Sequence, residues 1–343
     1  MMISKKVKLI SLLIAIALVI SLAGCSKKAA APEEKKGWAP QKQVTLLAVA
    51  GAGGGLDMVA RTMAKLFDQT KIITQPIIVE NKPGGGQVTG TVSFANQDAK
   101  NDHKLMIAST PFILNHIKKD GNSPIGPDQI YPLALLQEDY GVIAVKADSK
   151  YKTLKELFDA VKANPASVQF CGGGAPGTWD HLNSVLLARK AGADIKTMKY
   201  NTYDGGGEAL TALLGGNADA LTSDVSSIKQ YVQAGRVRVL GVSSAARIAD
   251  DEVMKNIPTY KEQGFDVVTS NWRGIFAGKD VPEAAKKYWS EKVAELCKAQ
   301  AWKDELKKQG VIYVYKDAKG FYDHIKAEQV MYTEIYKELG MAK

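Results

Sequence analysis

The chain is 343 residues long, carries a formal charge of +9, and is 45% hydrophobic and 24% charged. That length exceeds one ordinary core and suits two domains, and the composition excludes a disordered chain. Three of the positive charges, Lys5, Lys6 and Lys8, fall in a leader, and no Lys/Arg cluster is interleaved with aromatics. The remaining excess is modest: it argues against nucleic acid and for small anions or a membrane surface.

The basic start "MMISKKVK" is followed by "LISLLIAIALVISL", an apolar run short of the roughly 20 residues a spanning helix needs. Then comes "LAGC", Leu22 to Cys25, which resembles the lipobox of bacterial lipoproteins. Residues 1–24 read as a signal peptide, with Cys25 as the lipidated first residue of the mature chain; the alternative is an uncleaved anchor helix. Either way the body is exported and held at a membrane, on the periplasmic or cell-surface side. Residues 25–42, rich in Lys, Ala, Glu and Pro, read as a flexible tether. Export places the body where ATP and NAD are scarce, which favours a binder or a hydrolase over a kinase or dehydrogenase.

From there β-rich runs alternate with amphipathic helices. "VTLLAVA" (44–50) reads as a buried strand, and Val59, Met63, Leu66 and Phe67 share one face of the helix after it. "PIIVEN", "HKLMIAST" (103–110) and "YGVIAVKA" (140–147) read as further strands. Thr153 and Glu156 form a capping box ahead of "LKELFDAVKAN". "VQF" (168–170) is a strand running into "CGGGAPGT", after which Thr178 caps a helix. "GEALTALLGG" is a helix, "ADALTS" a strand, "SSIKQYVQAG" a helix and "RVRVLGVSS" a strand. From Pro282 onward the pattern is almost wholly helical. This alternation predicts an α/β fold of mainly parallel sheets flanked by helices, with ligands outside the carboxyl ends of the strands.

Two glycine-rich loops fall at such ends, 51–57 and 172–178, about 120 residues apart. The first, "VAGAGGGLDMVAR", fails the dinucleotide fingerprint, because Leu56 stands at its third glycine. It also lacks the Gly-Lys-Ser/Thr end of an ATPase phosphate loop. With no cation of its own, it offers backbone N–H groups and a helix N-terminus, which suit a carboxylate better than a triphosphate. Asp57 is expected to cap that helix by accepting amides of the next turn. The second loop repeats the device with Gly173, Gly174, Gly177 and the Thr178 hydroxyl. Set against this is the plain reading of each loop as an ordinary strand-to-helix turn.

Catalytic signatures are sparse. His103, His116, His181 and His324 are not at metal-ligand spacing, and no G-x-S-x-G elbow is present. Cys171 with His181 is the best nucleophile pair, but it lacks an orienting group: Asp180 would point about 100° away on a helix. Cys171 and Cys297 read as small buried thiols rather than a disulfide. No cofactor or metal is expected.

The stretches "GGGLDMVAR", "VENKPGGG", "GTWDHL", "GGGEALTALLGGNADA", "GRVRVLGVSS", "IPTYKEQGF" and "WRGIFA" occur in this order. Together they resemble the tripartite tricarboxylate transporter substrate-binding family, also called the TctC or Bug family, over about residues 43–343. The resemblance implies a periplasmic-binding-protein-like (type II) Venus flytrap, with lobe I at 43–140 plus 271–343 and lobe II at 141–270. It implies capture of a small organic carboxylate and delivery to membrane permease subunits; a sensing role with a signalling partner, or an exported hydrolase using Cys171, are the alternatives. Candidate ligand contacts are Gly51, Ala52, Gly53, Gly54, Gly55 and Asp57 in the first loop, and Gly173, Gly174, Gly177 and Thr178 in the second. Ser109, Thr110, Tyr203, Asp224 and Arg273 complete the set, Arg273 either as a fixed counter-charge or in a hinge salt bridge. Where the family's Tyr-Lys-Gly-Gly stretch has Lys, this chain has Asp204, and Gly51 stands where the family usually has Pro. Asp180 and Asp204 would repel a second carboxylate or attract an ammonium, so a mono- or dicarboxylate is expected ahead of a citrate-type polyanion.

Overall fold

The computed structural model describes residues 37–203 and 206–343. The leader, Cys25 and Asp204 lie outside them. In chain order the elements are β1 (Val44–Ala48), α1 (Gly55–Thr70), β2 (Ile77–Asn81), α2 (Val88–Gln97), β3 (Lys104–Ser109), α3 (Pro111–Ile117), β4 (Ile130–Lys146), α4 (Leu154–Ala163) and β5 (Gln169–Gly172). There follow α5 (Trp179–Ala191), β6 (Lys199–Thr202), α6 (Gly206–Leu214), β7 (Ala220–Asp224), α7 (Val225–Gln233), β8 (Val237–Val242), β9 (Ser270–Gly278), α8 (Glu283–Lys298), α9 (Gln300–Gln309), β10 (Ile312–Lys316) and α10 (Ala318–Leu339).

Local sequence explains most of these. The apolar run of β1 is buried along almost its whole length, as a strand covered on both faces must be. α1 buries Leu56, Val59, Ala60, Met63, Leu66 and Phe67 at helical spacing. At α4 the Thr153 hydroxyl accepts the Glu156 amide at 3.2 Å while Glu156 reaches back to the Lys152 amide at 2.6 Å, a capping box displaced by one residue. Thr178 occupies the N-cap of α5, but its hydroxyl donates to the Ala175 carbonyl at 2.7 Å instead of capping the helix.

The strands pair in one order, β2-β1-β3-β9-β4-β7-β5-β6, with β8 and β10 also on β4. β4 is 17 residues long and serves two sheets. From Ile130 to Tyr140 it runs against β9, and from Gly141 to Lys146 against β7 and β8. The sheet is therefore mixed, where parallel pairing was expected to dominate. Among the described strands, parallel ladders join β1 with β2 and β3, and β5 with β6 and β7. β4 and β9, the two long crossings, run antiparallel to their neighbours because they carry the chain across and back. Two further corrections concern length. The strand expected at 140–147 begins ten residues earlier, and β10 interrupts the helical C-terminal region by pairing with β4 near Gln137 and Glu138.

The core around β4, β7 and β8 is aliphatic, built from Val142, Leu221, Val225, Val239 and Met254 among others. Around β9 it is aromatic: the Phe321 ring centroid lies 5.1 Å from Trp272 and 5.2 Å from Phe276. Cys171, in β5, and Cys297, in α8, are both free and buried.

Candidate functional site

β1 ends in the loop that starts α1. Gly53 adopts φ +79, a left-handed conformation that favours glycine. Its N–H donates to Asp57 Oδ2 at 2.8 Å, Arg61 Nε donates to the same oxygen at 2.8 Å, and Asn81 Nδ2 donates to Oδ1 at 2.9 Å. Asp57 is thus not the cap expected from sequence. Gly54 is the N-cap, and Asp57 sits inside the helix, reaching back to fold the loop over it. The Arg61 hydrogen bond, with those from Gly53 and Asn81, holds the Asp57 carboxyl down to about 2 against the opposing effect of burial. With both oxygens engaged, Asp57 positions the loop. Met58 is the first helical residue whose N–H reaches a carbonyl, that of Gly54 at 2.9 Å. The amides of Gly55, Leu56 and Asp57 are the orphan donors of the helix start, where partial positive charge collects. Gly51, Ala52, Gly53 and Gly55 are exposed.

The second loop is built alike. Gly173 N–H donates to Asp180 Oδ2 at 2.8 Å, as Gly53 does to Asp57. Burial, helped by the Asp224 charge, pushes Asp180 up to about 7. Gly177, at φ +81, donates its N–H to His181 Nδ1 at 3.0 Å and accepts from the Tyr336 hydroxyl. His181 Nδ1 is therefore an unprotonated acceptor, which agrees with burial pushing the ring down to about 4. Burial pushes the Cys171 thiol up to about 12, and its sulfur donates to the Ala209 carbonyl at 3.4 Å, so it forms no dyad with His181. The amides of Gly53, Gly173 and Gly177 are thus taken by the protein itself. The donors left to a ligand are fewer than the glycine count suggests and lie in the first helical turns.

β4 and β9 connect the two loops. Directly opposed residues of antiparallel strands share a face, as do residues two apart. Gln137 opposes Arg273, Asp139 opposes Asn271, and Gly141 opposes Asp224. Ser109 also opposes Arg273, from β3. One face of the crossing therefore carries Gln137, Asp139, Asn271, Arg273, Asp224 and Ser109. The other carries Glu138, Tyr140 and Trp272, whose indole donates to Glu328 Oε2 of α10 at 2.6 Å.

Arg273 Nη1 donates to the Asn271 and Trp272 carbonyls at 2.7 and 3.3 Å. Its Nη2 lies 3.4 Å from where a Cβ on Gly55 would be, against the start of α1. It forms no salt bridge among the described residues, and it sets a cation from β9 beside the first loop. Asp139, 1% exposed, accepts the Ser226 amide at 3.2 Å and the Ser226 hydroxyl at 2.5 Å. Burial and the Asp224 charge hold it well above the usual carboxyl range despite Arg273. Asp224 also accepts the Ser227 amide at 3.1 Å and caps α7. A continuous series of neighbours thus runs from Gly55 through Arg273, Asp139, Asp224 and Asp180 to Gly173.

The other candidates divide. Ser109 lies on this face, with its hydroxyl and amide held by Gln87 at 2.6 and 3.1 Å. Thr110 is fully buried, and its hydroxyl is spent on the Ser270 carbonyl and the Trp272 amide. The Tyr203 amide donates to the Gly172 carbonyl at 3.1 Å, while its ring packs on the aliphatic core. Sequence reasoning missed Gln137, Asp139 and Asn271: Asn271 and Arg273 alternate about Trp272, but Gln137, Glu138 and Asp139 form an unbroken polar run with no period to assign a face. A notch of about 660 Å³ lies between residues 244–251 and 300–313 and includes none of the candidate residues.

Among known proteins, the chain is 28% identical over 277 residues to the UPF0065 protein in the tcbD–tcbE intergenic region of Pseudomonas sp. strain P51, covering 79% of each. It superposes on the crystal structure of a TctC solute-binding protein from Polaromonas with TM-score 0.73 and 26% identity, over 88% of this chain and 100% of that one. MatC from Rhodopseudomonas palustris, solved with bound malate, shares the fold with TM-score 0.69 and 21% identity, over 87% of this chain and 99% of that one. The model of the tripartite tricarboxylate transporter family receptor, TctC, matches residues 59–341. Paired loop-to-helix starts over one polar strand face and a family match over most of the length lead to one conclusion: the chain belongs to the TctC family of solute-binding proteins.

Proposed function

We propose that the protein captures a small organic carboxylate between the starts of α1 and α5 and delivers it unchanged to the membrane subunits of a tripartite permease. The observation that carries this reading is the Arg273 guanidinium, which has no carboxylate partner among the described residues and lies with Nη2 and Nε beside the first turn of α1. A charge-assisted hydrogen bond contributes about 1.5–3 kcal/mol, and micromolar binding needs about 8 kcal/mol. Two bonds from Arg273 and two from backbone amides reach that range without chemistry on the ligand. Residues 43–140 with 271–343 form one lobe and 141–270 the other, hinged where β4 and β9 cross. The malate in the MatC structure, a dicarboxylate on the same fold, supports the ligand class. Isothermal titration of the body against malate, succinate, citrate, glutamate and a sugar panel tests it. Micromolar binding of an organic acid is expected; binding of a sugar with no acid bound would overturn the reading.

The body is held outside the cell membrane by lipid on Cys25. The support is the Leu-Ala-Gly-Cys sequence after the apolar leader and the family's association with a transporter. Cys25→Ala is expected to leave a precursor that no longer takes up labelled palmitate. Equal labelling of variant and parent would place the lipid elsewhere.

A further inference from the structure

We propose that α10 latches the second loop to lobe I, so that Tyr336 and Lys118 set how long a captured ligand stays in the cleft. The proposal rests on the carboxylate-capture reading and its two-lobe division, and adds to them the residues that govern release. α10 begins against β9, where Phe321 packs on Trp272 and Phe276 and Glu328 accepts the Trp272 indole. Further along, the same helix reaches residues of lobe II. Tyr332 Oη lies 2.8 Å from Thr269 Oγ1, the Tyr336 hydroxyl donates to the Gly177 carbonyl, and Glu338 pairs with Arg189 of α5. Lys118, just after α3, joins them: its Nζ donates to the Pro176 carbonyl at 3.1 Å while pairing with Asp120 at 3.1 Å. The end of the chain fastens this lysine to α10, since the Lys119 N–H donates to the Met341 carbonyl at 2.8 Å and the Lys343 N–H to the Ile117 carbonyl at 3.1 Å.

Tyr332, Tyr336 and Lys118 are buried, whereas the Glu338–Arg189 pair is at the surface, where an ion pair contributes little. The approach at Gly177 is close. A Cβ there would lie 2.6 Å from Met341 Cε and 3.0 Å from Lys118 Cε, and the residue is left-handed, so glycine is required on both counts. The two carbonyls held from lobe I belong to peptide groups whose N–H groups are bonded inside lobe II. The Gly177 N–H meets His181 Nδ1 at 3.0 Å, and the Thr178 N–H meets the Ala175 carbonyl at 3.0 Å. Each peptide is thus gripped from one lobe at its oxygen and from the other at its nitrogen, and bonds in such a chain polarise and strengthen one another. The start of α5, with its first-turn amides, leaves lobe I only when the Tyr336 and Lys118 bonds break.

Position relative to the hinge decides which of these bonds matter for release. Thr269 directly precedes β9, at the hinge, so rotation of the lobes displaces it little. Gly177 lies in the loop that the same rotation carries away from α10. Opening therefore breaks the Tyr336 and Lys118 bonds and spares that of Tyr332. Losing them weakens the closed state alone, which speeds release without slowing capture.

The test is stopped-flow measurement of association and dissociation rates, using whichever of malate, succinate, citrate and glutamate binds the parent protein most tightly. Tyr336→Phe is expected to raise the dissociation rate about three- to tenfold, the loss of one hydrogen bond, and to leave the association rate unchanged. Lys118→Met is expected to act in the same direction, so the proposal stays open to refutation if either variant fails to fold. Tyr332→Phe is the control: it removes an equally buried hydroxyl of the same helix and is expected to lower the melting temperature while leaving both rates as in the parent. Release at the parent rate from both Tyr336→Phe and Lys118→Met, or equally fast release from Tyr332→Phe, would make α10 a brace for the fold, overturning this inference and leaving the carboxylate reading standing. A parent protein that binds none of the four acids would overturn both.

Discussion

Replacing Arg273 with alanine is expected to weaken carboxylate binding by roughly 10- to 100-fold, the net loss of one charge-assisted hydrogen bond at about 1.5–3 kcal/mol. The side chain is held by the Asn271 and Trp272 carbonyls through Nη1 alone, which leaves Nη2 and Nε facing Gly55. A planar guanidinium held at one nitrogen is pre-organised to grip a carboxylate with the others. Arg273→Lys is expected to recover only part of the loss, because a single ammonium cannot reproduce the fork. Calorimetry of both variants with the same ligand checks this. If Arg273→Ala binds like the parent but melts several degrees lower, the residue is a tie within β9 and not a ligand contact.

The largest stability effect is expected one residue further on, at Gly274→Ala. A Cβ there would lie 2.1 Å from Phe321 Cζ and 2.5 Å from Cε1. That ring is fully buried and packs against both Trp272 and Phe276, so it has no open direction to move in. Overpacking a core costs about 1–3 kcal/mol and sometimes more, while alanine recovers only about 0.5–1 kcal/mol of the backbone entropy glycine loses. The clash wins. At about 2–4 °C per kcal/mol for a chain of this order, thermal melting is expected to fall by roughly 5–10 °C. Adding Phe321→Leu should restore part of it by making room. An unchanged melting temperature for Gly274→Ala would mean that the aromatic cluster is loosely packed. Because Gly274 lies in the crossing next to Arg273, ligand affinity measured well below the melting transition shows whether packing behind the strand also sets the position of the guanidinium.

The helices were legible where their signals were local. The apolar spacing of Val59, Met63, Leu66 and Phe67 and the Thr153–Glu156 box both describe what is found, because each depends on residues within one or two turns. Capping by Asp57 was placed wrongly for an instructive reason. An acidic residue in the first turn satisfies amides in either direction, and here the left-handed Gly53 turned its amide back toward the carboxylate. The length of β4 and the existence of β10 were missed because both rest on pairing partners far along the chain. Five residues between two helices carry too little periodicity to declare themselves a strand.

From its own letters the chain determined an α/β alternation, two glycine-rich strand-to-helix loops and the family to which it belongs, since each is written in short-range pattern. Only the tertiary structure decided which amides the loops keep for themselves and which cation lies beside the first of them. It alone brought Gln137 and Asp139 of one crossing onto one face with Asn271 and Arg273 of the other. Strand register, a contact between segments more than 130 residues apart, selects that face, and no local preference encodes it.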